Sequence, residues 1–178
     1  MTPKKKIFAI SGSTRSNSSN LKILRQIAEM SSALFEVKLF EGLAELPHFN
    51  PDLDTDTPPQ AVTDFRNEIQ QADGIIICTP EYVFSLPGSL KNALEWCVST
   101  TIFSKKKVGL ITASASGEKG HEELQLIMKT IEASFNEDTS LLIQGVRGKV
   151  NPEGTIVDSL TLEQIQQFIT AFDKQLRA

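Results

Sequence analysis

Residues 11–20, SGSTRSNSSN, are small and hydroxyl-bearing except for one cation, Arg15. An apolar strand-like run, Ile7 to Ile10, precedes them, and a helical pattern starting near Leu21 follows. The stretch therefore sits at a strand-to-helix junction, where the free NH groups and positive dipole end of a helix receive anions. Working outward, KIFAIS reads as a short buried strand, and Leu21, Leu24, Ile27 and Ala28 recur at helical spacing to about Ser32, with Ser18 or Ser19 as the cap. Phe35, Val37 and Leu39 alternate with Glu36 and Lys38, the pattern of a half-buried strand nearer an edge.

Residues 41–59 carry Pro47, Pro51, Pro58 and Pro59 with Asp52, Asp54 and Asp56, which oppose any long regular element. A loop of this length is either a lid or partner surface, or a decorated surface crossing. Val62, Phe65, Ile69 and Ala72 mark a second helix, and the run IIIC after Asp73-Gly74 is apolar throughout, as in strands covered on both faces. A third helix opens at Pro87 and continues through Cys97, and Val108 to Thr112 forms a fourth strand. A fourth helix, a fifth strand centred on Leu141 to Ile143, and a closing helix started by a Thr161/Gln164 capping box complete the chain.

Five short strands alternating with five helices specify an α/β fold of the doubly wound class, an open parallel sheet with helices on both faces. With 178 residues, one domain spanning 1–178 is expected. Ligands of such sheets bind outside the carboxyl ends of the strands. Three of those ends carry special loops, residues 11–20, 79–86 and 114–120, which are expected to converge.

The first loop lacks both the Gly-x-Gly-x-x-Gly dinucleotide fingerprint and the Gly-Lys-Ser/Thr ending of an NTPase loop. Its hydroxyls, among them Ser13, Ser18 and Ser19, together with Asn20 and the permanent charge of Arg15, suit a terminal monophosphate. A serine-rich turn with a helix cap fits the same residues. The second loop continues as TPEYVFSLPGSLKNALEW. Pro80 stiffens it, leaving the NH groups of Glu81, Tyr82 and Val83 for the edge of a polar heterocycle, with Tyr82 or Phe84 covering a flat face. Glu81 can equally cap a helix or pair with a lysine.

Together, GSTRSNSSN and TPEYVFSLPGSLKNALEW resemble the NADPH-dependent FMN reductase family, flavodoxin-like proteins that include quinone, azo-dye and chromate reductases. The resemblance implies a flavodoxin-like three-layer sandwich with a five-stranded parallel sheet in the order 2-1-3-4-5. It implies FMN as cofactor, its phosphate held by Ser13, Arg15, Ser18 or Ser19 and Asn20. The isoalloxazine edge would lie on the backbone of Pro80, Glu81, Tyr82 and Val83, and Ser114 and Gly117 of the third loop would close around the flavin. NADPH or NADH is the implied co-substrate, a small molecule the electron acceptor, and a homodimer or homotetramer the assembly, with the 41–59 loop and third helix near the partner. The chain departs from the family pattern twice: Val83-Phe84 stands where Asn-Gly is common, and His121 follows Gly120 where a second glycine is common. The first departure bears on the flavin contact and the substrate opening. His121 is expected to be a solvated helix-start residue.

Flavin chemistry needs no protein nucleophile, so no catalytic side chain is assigned. A flavodoxin-type FMN electron carrier without nicotinamide activity is the alternative, though the formal charge of −4 is small for a docking carrier. That charge also gives no general footprint for nucleic acid, and the runs Lys4–Lys6 and Lys105–Lys107 read as solvated strand flanks. Cys78 and Cys97 lack metal-site spacing and are expected to be buried free thiols. No run of 18 apolar residues exists and Lys4–Lys6 lead straight into a strand, so no membrane association and a cytoplasmic location are expected.

Overall fold

The run GIIICT at Gly74–Thr79 is buried at every residue in the computed structural model, which describes residues 3–178. Successive side chains of a strand face opposite sides, so uniform burial requires a covered layer on each side. Ile75 and Ile77 enter one core, and Ile76 and Cys78 the other.

The strands are β1 (Lys5–Ser11), β2 (Phe35–Phe40), β3 (Gly74–Thr79), β4 (Lys107–Ala113) and β5 (Ser140–Ile143). All pair in parallel in the order β2-β1-β3-β4-β5, with Ile10 opposite Ile77 and Ile77 opposite Leu110. β2 is an edge strand, as its half-buried alternation predicts. The helices are α1 (Ser19–Met30), α2 (Gln60–Gln71), α3 (Gly88–Glu95), α4 (Glu118–Thr130) and α5 (Ser159–Arg177). α2, α3 and α4 cover one face through Phe65, Leu90 and Leu124, and α1 and α5 cover the other through Ile23, Ile27, Phe168 and Phe172. This is the expected three-layer arrangement.

Three boundaries differ from the sequence expectation. α3 ends at Glu95, so Cys97 lies in the turn beyond it, where its NH bonds to the carbonyl of Leu94. α5 begins two residues before Thr161, because Asp158 is the cap: its carboxylate accepts from both the NH and the hydroxyl of Thr161. Residues 41–59 contain two one-turn helices and are fastened down. The Pro47 carbonyl accepts from Asn92 Nδ2 at 3.0 Å and Trp96 Nε1 at 2.8 Å, while Asn92 Oδ1 accepts the NH of Phe49 at 2.7 Å. Asp54 pairs with Arg66 at 2.7 Å. Burial opposes the Asp54 charge, but hydrogen bonds from Ser99 and Arg66 and the Arg66 charge outweigh it and hold the carboxyl below its ordinary range.

Cys78 and Cys97 are buried free thiols, and burial pushes both well above the ordinary thiol range. Among the described residues no helix is long and apolar enough to cross a membrane, and no cluster of His, Cys, Asp and Glu could hold a metal ion.

Candidate functional site

At the carboxyl ends of β1, β3 and β4 the three loops line one cleft of about 400 Å³. Ser13, Arg15, Ser18, Ser19 and Asn20 come from the first, Pro80, Glu81 and Tyr82 from the second, and Ser114 from the third. The convergence follows from the parallel order, which puts all these ends on one edge of the sheet.

The first loop approaches the sheet closely because residue 12 is glycine. Its NH donates to the Cys78 carbonyl at 2.8 Å, and a Cβ there would stand 2.3 Å from Thr79 Oγ1. Ser18 is the α1 cap, accepting the NH of Asn20 at 3.2 Å. The first turn of α1 holds no acidic residue, so its positive end faces the cleft uncompensated. Ser13 Oγ accepts the NH of Arg15 at 3.4 Å, which leaves its own hydroxyl hydrogen for a ligand. Asn20 turns inward: Nδ2 donates to the Ala113 carbonyl at 3.3 Å and Oδ1 accepts from Cys78 Sγ at 3.3 Å. It fixes the start of α1 against β3 and β4.

The second loop is locked from two sides. Glu81 caps a helix, but one across the cleft: Oε1 accepts the NH of Gly117 at 3.2 Å and Oε2 that of Gly120 at 2.8 Å. Gly117 is the α4 cap residue at φ +89°, a conformation that favours glycine. Its NH points to Glu81, and Gly117 lies outside the cleft lining. Glu123 of α4 accepts from the Ser85 hydroxyl at 2.5 Å and the Leu86 NH at 3.1 Å.

The NH of Tyr82 is not free, contrary to the sequence expectation. It donates to the Ser85 carbonyl at 2.9 Å, and the Ser85 NH returns a bond to Tyr82 at 3.0 Å. The two residues between, Val83 and Phe84, both have positive φ, +53° and +58°, the hairpin turn that favours Asn-Gly. Their side chains project into solvent, 95% and 76% exposed, and neither lines the cleft. Among the described residues, Glu81 and Val83 donate no backbone hydrogen bond.

His121 is not the solvated residue expected. α4 begins at Glu118, which turns the fourth helical position toward the sheet. Nδ1 lies 2.8 Å from Thr112 Oγ1, and Nε2 lies 3.1 Å from Ser140 Oγ and 3.2 Å from Gln125 Nε2. Burial away from any carboxylate partner lowers its pKa, so the imidazole is held neutral.

Four lining residues, Ala113, Ala115, Val146 and Arg147, escaped sequence reasoning, and the one that carries a charge is Arg147. It lies in the one-turn helix Val146–Gly148 after β5 and reaches the cleft beside Val146, Ala113 and Ala115. The available signal was GVRG at a fourth strand end, where the same topological rule applies.

Comparison with known proteins agrees with this geometry. Residues 5–140 match the family model described as NADPH-dependent FMN reductase. The quinone reductase of Escherichia coli K12 is 29% identical, covering 97% of this chain and 95% of its own. The NADH:(hydroxy)cinnamate reductase subunit CrdA of Vibrio ruber is 30% identical over 93% of this chain and 84% of its own. Among solved structures, the flavoenzyme NAD(P)H:(acceptor) oxidoreductase FerB of Paracoccus denitrificans superposes with a TM-score of 0.86 at 24% identity, covering 97% of both chains. A flavodoxin, WrbA-like protein from Agrobacterium tumefaciens superposes at 0.65 and 14% identity, covering 98% of each. The five-stranded order and the family match lead to one assignment: the chain belongs to the NADPH-dependent FMN reductase family of flavin-dependent oxidoreductases.

Proposed function

We propose that the protein is an NAD(P)H-dependent FMN oxidoreductase that reduces a quinone, azo compound, free flavin, metal oxyanion or oxygen, with nicotinamide and acceptor taking turns at one face. The observation that carries this is the cleft itself: hydroxyls, a helix start and Arg15 from the first loop, and the Pro80–Tyr82 wall from the second. This donor set fits FMN, whose phosphate needs donors and positive charge and whose ring needs an edge partner and apolar cover.

When bound, FMN supplies the hydride-accepting and electron-donating chemistry. Ser13, Ser18, Ser19 and Arg15 would hold its phosphate, while Asn20 keeps the start of α1 in place. The backbone from Pro80 to Tyr82, with the NH group of Glu81 not spent in the turn, would meet the ring edge, and the half-exposed Tyr82 would shield it. Ser114 would bound the cleft from the β4 side, while Gly117, outside the lining, holds Glu81 in place. Donors at such a loop stabilise negative charge that develops during reduction. No side chain is assigned a nucleophilic or acid–base role.

Self-association as a homodimer or homotetramer belongs to the same proposal. Its support is an apolar groove between α3 and α4, lined by Leu94, Val98, Ile127 and Ile131, with Val98 exposed. Light scattering on the purified protein tests it, and a monomer at micromolar concentration would refute it.

The functional test is NADPH oxidation by the FMN-loaded protein with a quinone in excess. Repeated turnover is expected, with parallel double-reciprocal plots at varied quinone. A flavin-loaded protein that leaves NADPH untouched would be an electron carrier instead.

A further inference from the structure

We propose that Arg147 is a second cation of the phosphate end of the cleft, so that a phosphomonoester is held as its dianion between Arg15 and Arg147. The inference rests on the FMN reading and adds a residue and a selectivity to it.

The chain has five arginines. Arg25, Arg66 and Arg177 each pair with a carboxylate, Glu41, Asp54 and Asp173 respectively. Among the described residues, the two arginines without an acidic partner are Arg15 and Arg147, and both line this cleft. The one carboxylate in the lining, Glu81, commits both oxygens to the amides of Gly117 and Gly120. In a chain of net charge −4, the two guanidinium groups without an acidic partner thus line the same cleft.

The position of Arg147 is built rather than incidental. The Gly145 NH donates to the Ala115 carbonyl at 3.0 Å and the Val146 NH to the Ser114 carbonyl at 3.2 Å, which ties the turn after β5 to the third loop. Gly145 takes φ +62°, and Gly148 closes the one-turn helix by donating to the Gly145 carbonyl at 3.1 Å. Val146 is buried beneath, while Arg147 stays exposed and free to reach a ligand.

A phosphomonoester carries about −1.5 to −2 charges at neutral pH. One arginine neutralises about half of that, and two match it, each able to engage two phosphate oxygens through its planar fork. The consequence is selection for FMN over riboflavin, which has the same ring and no phosphate.

The test is fluorescence titration of the flavin-stripped protein with FMN and with riboflavin, for the wild type, Arg147→Ala and Arg147→Lys. Loss of a charge-assisted contact predicts FMN binding weaker by about tenfold or more in Arg147→Ala. A smaller loss is expected in Arg147→Lys, with riboflavin affinity and melting temperature unchanged in both. Unchanged FMN affinity in Arg147→Ala, or an equal loss for both flavins, would overturn the role of Arg147 while leaving the FMN site standing. A wild type that binds neither flavin, or both equally, would overturn the FMN reading together with it.

Discussion

Glu81 uses its carboxylate as a cap for a helix on the far side of the cleft, so one side chain fixes the spacing of two site loops. Glu81→Ala strands the amides of Gly117 and Gly120 and removes a cap, at a cost of about 1–3 kcal/mol. Chemical denaturation should show that loss, with faster amide exchange at Gly117 and Gly120. Unchanged exchange there would mean that the cap contributes nothing. At Arg15 the expectation is reversed, because an exposed loop cation contributes little to stability. Arg15→Ala should weaken FMN affinity and leave the melting temperature alone. His121 gives a pH signature. Its folded-state pKa is lowered, so below about pH 6.5 the unfolded chain takes up a proton that the folded chain refuses. The stability it contributes is present above that pH and is lost as the pH falls toward the folded value. His121→Gln should flatten the melting-temperature profile below about pH 6.5, and an identical slope in the variant would remove His121 as the cause. Residue types in the first loop were legible because a cap and a cation act locally. Arg147 was not, since its place depends on hydrogen bonds from Gly145 and Val146 to a loop about thirty residues earlier.

At the scale of elements, the turn at Val83-Phe84 runs against local preference. A β-branched residue at positive φ is a genuine outlier, and each such residue costs about 1–3 kcal/mol. The anchors that override this preference are the paired Tyr82–Ser85 hydrogen bonds and the grip of Glu123 on Ser85 and Leu86. Val83→Asn combined with Phe84→Gly should therefore raise the melting temperature by several degrees while the Tyr82–Ser85 hydrogen bonds persist. A lower melting temperature would mean that the apolar tips stabilise the fold after all. The hairpin could not be read from the sequence, because its signal is Asn-Gly or Asp-Gly and Val-Phe stands at positions 83–84 instead. The β3 run, by contrast, declared itself, since burial on both faces leaves no polar position. The 41–59 segment lies between these cases. Its prolines showed a loop, but whether it was loose depended on Asn92, a side chain on α3 more than thirty residues away. Asn92→Ala should cost about 2–3 kcal/mol and open 41–59 to protease cleavage. An uncleaved variant of native stability would deny Asn92 that fastening role.

Across the whole molecule, function follows from parallel order. Every strand ends on the same edge, and the loops that follow bring hydroxyls and a helix start from β1, a stiff backbone corner from β3, Ser114 from β4 and an arginine from β5 to one cleft. The alternation of elements made this architecture legible, and the rule for strand ends located the cleft. What lies around its mouth follows from contacts between distant segments. The central claim is that this cleft makes the protein a nicotinamide-dependent flavin enzyme. The most direct measurement is the visible spectrum of the FMN-loaded protein during anaerobic titration with NADPH and, separately, NADH. Loss of the oxidised flavin band on adding about one equivalent of at least one nucleotide, and its return on adding a quinone, is the predicted result. A flavin band that persists through excess NADPH and NADH would contradict the account.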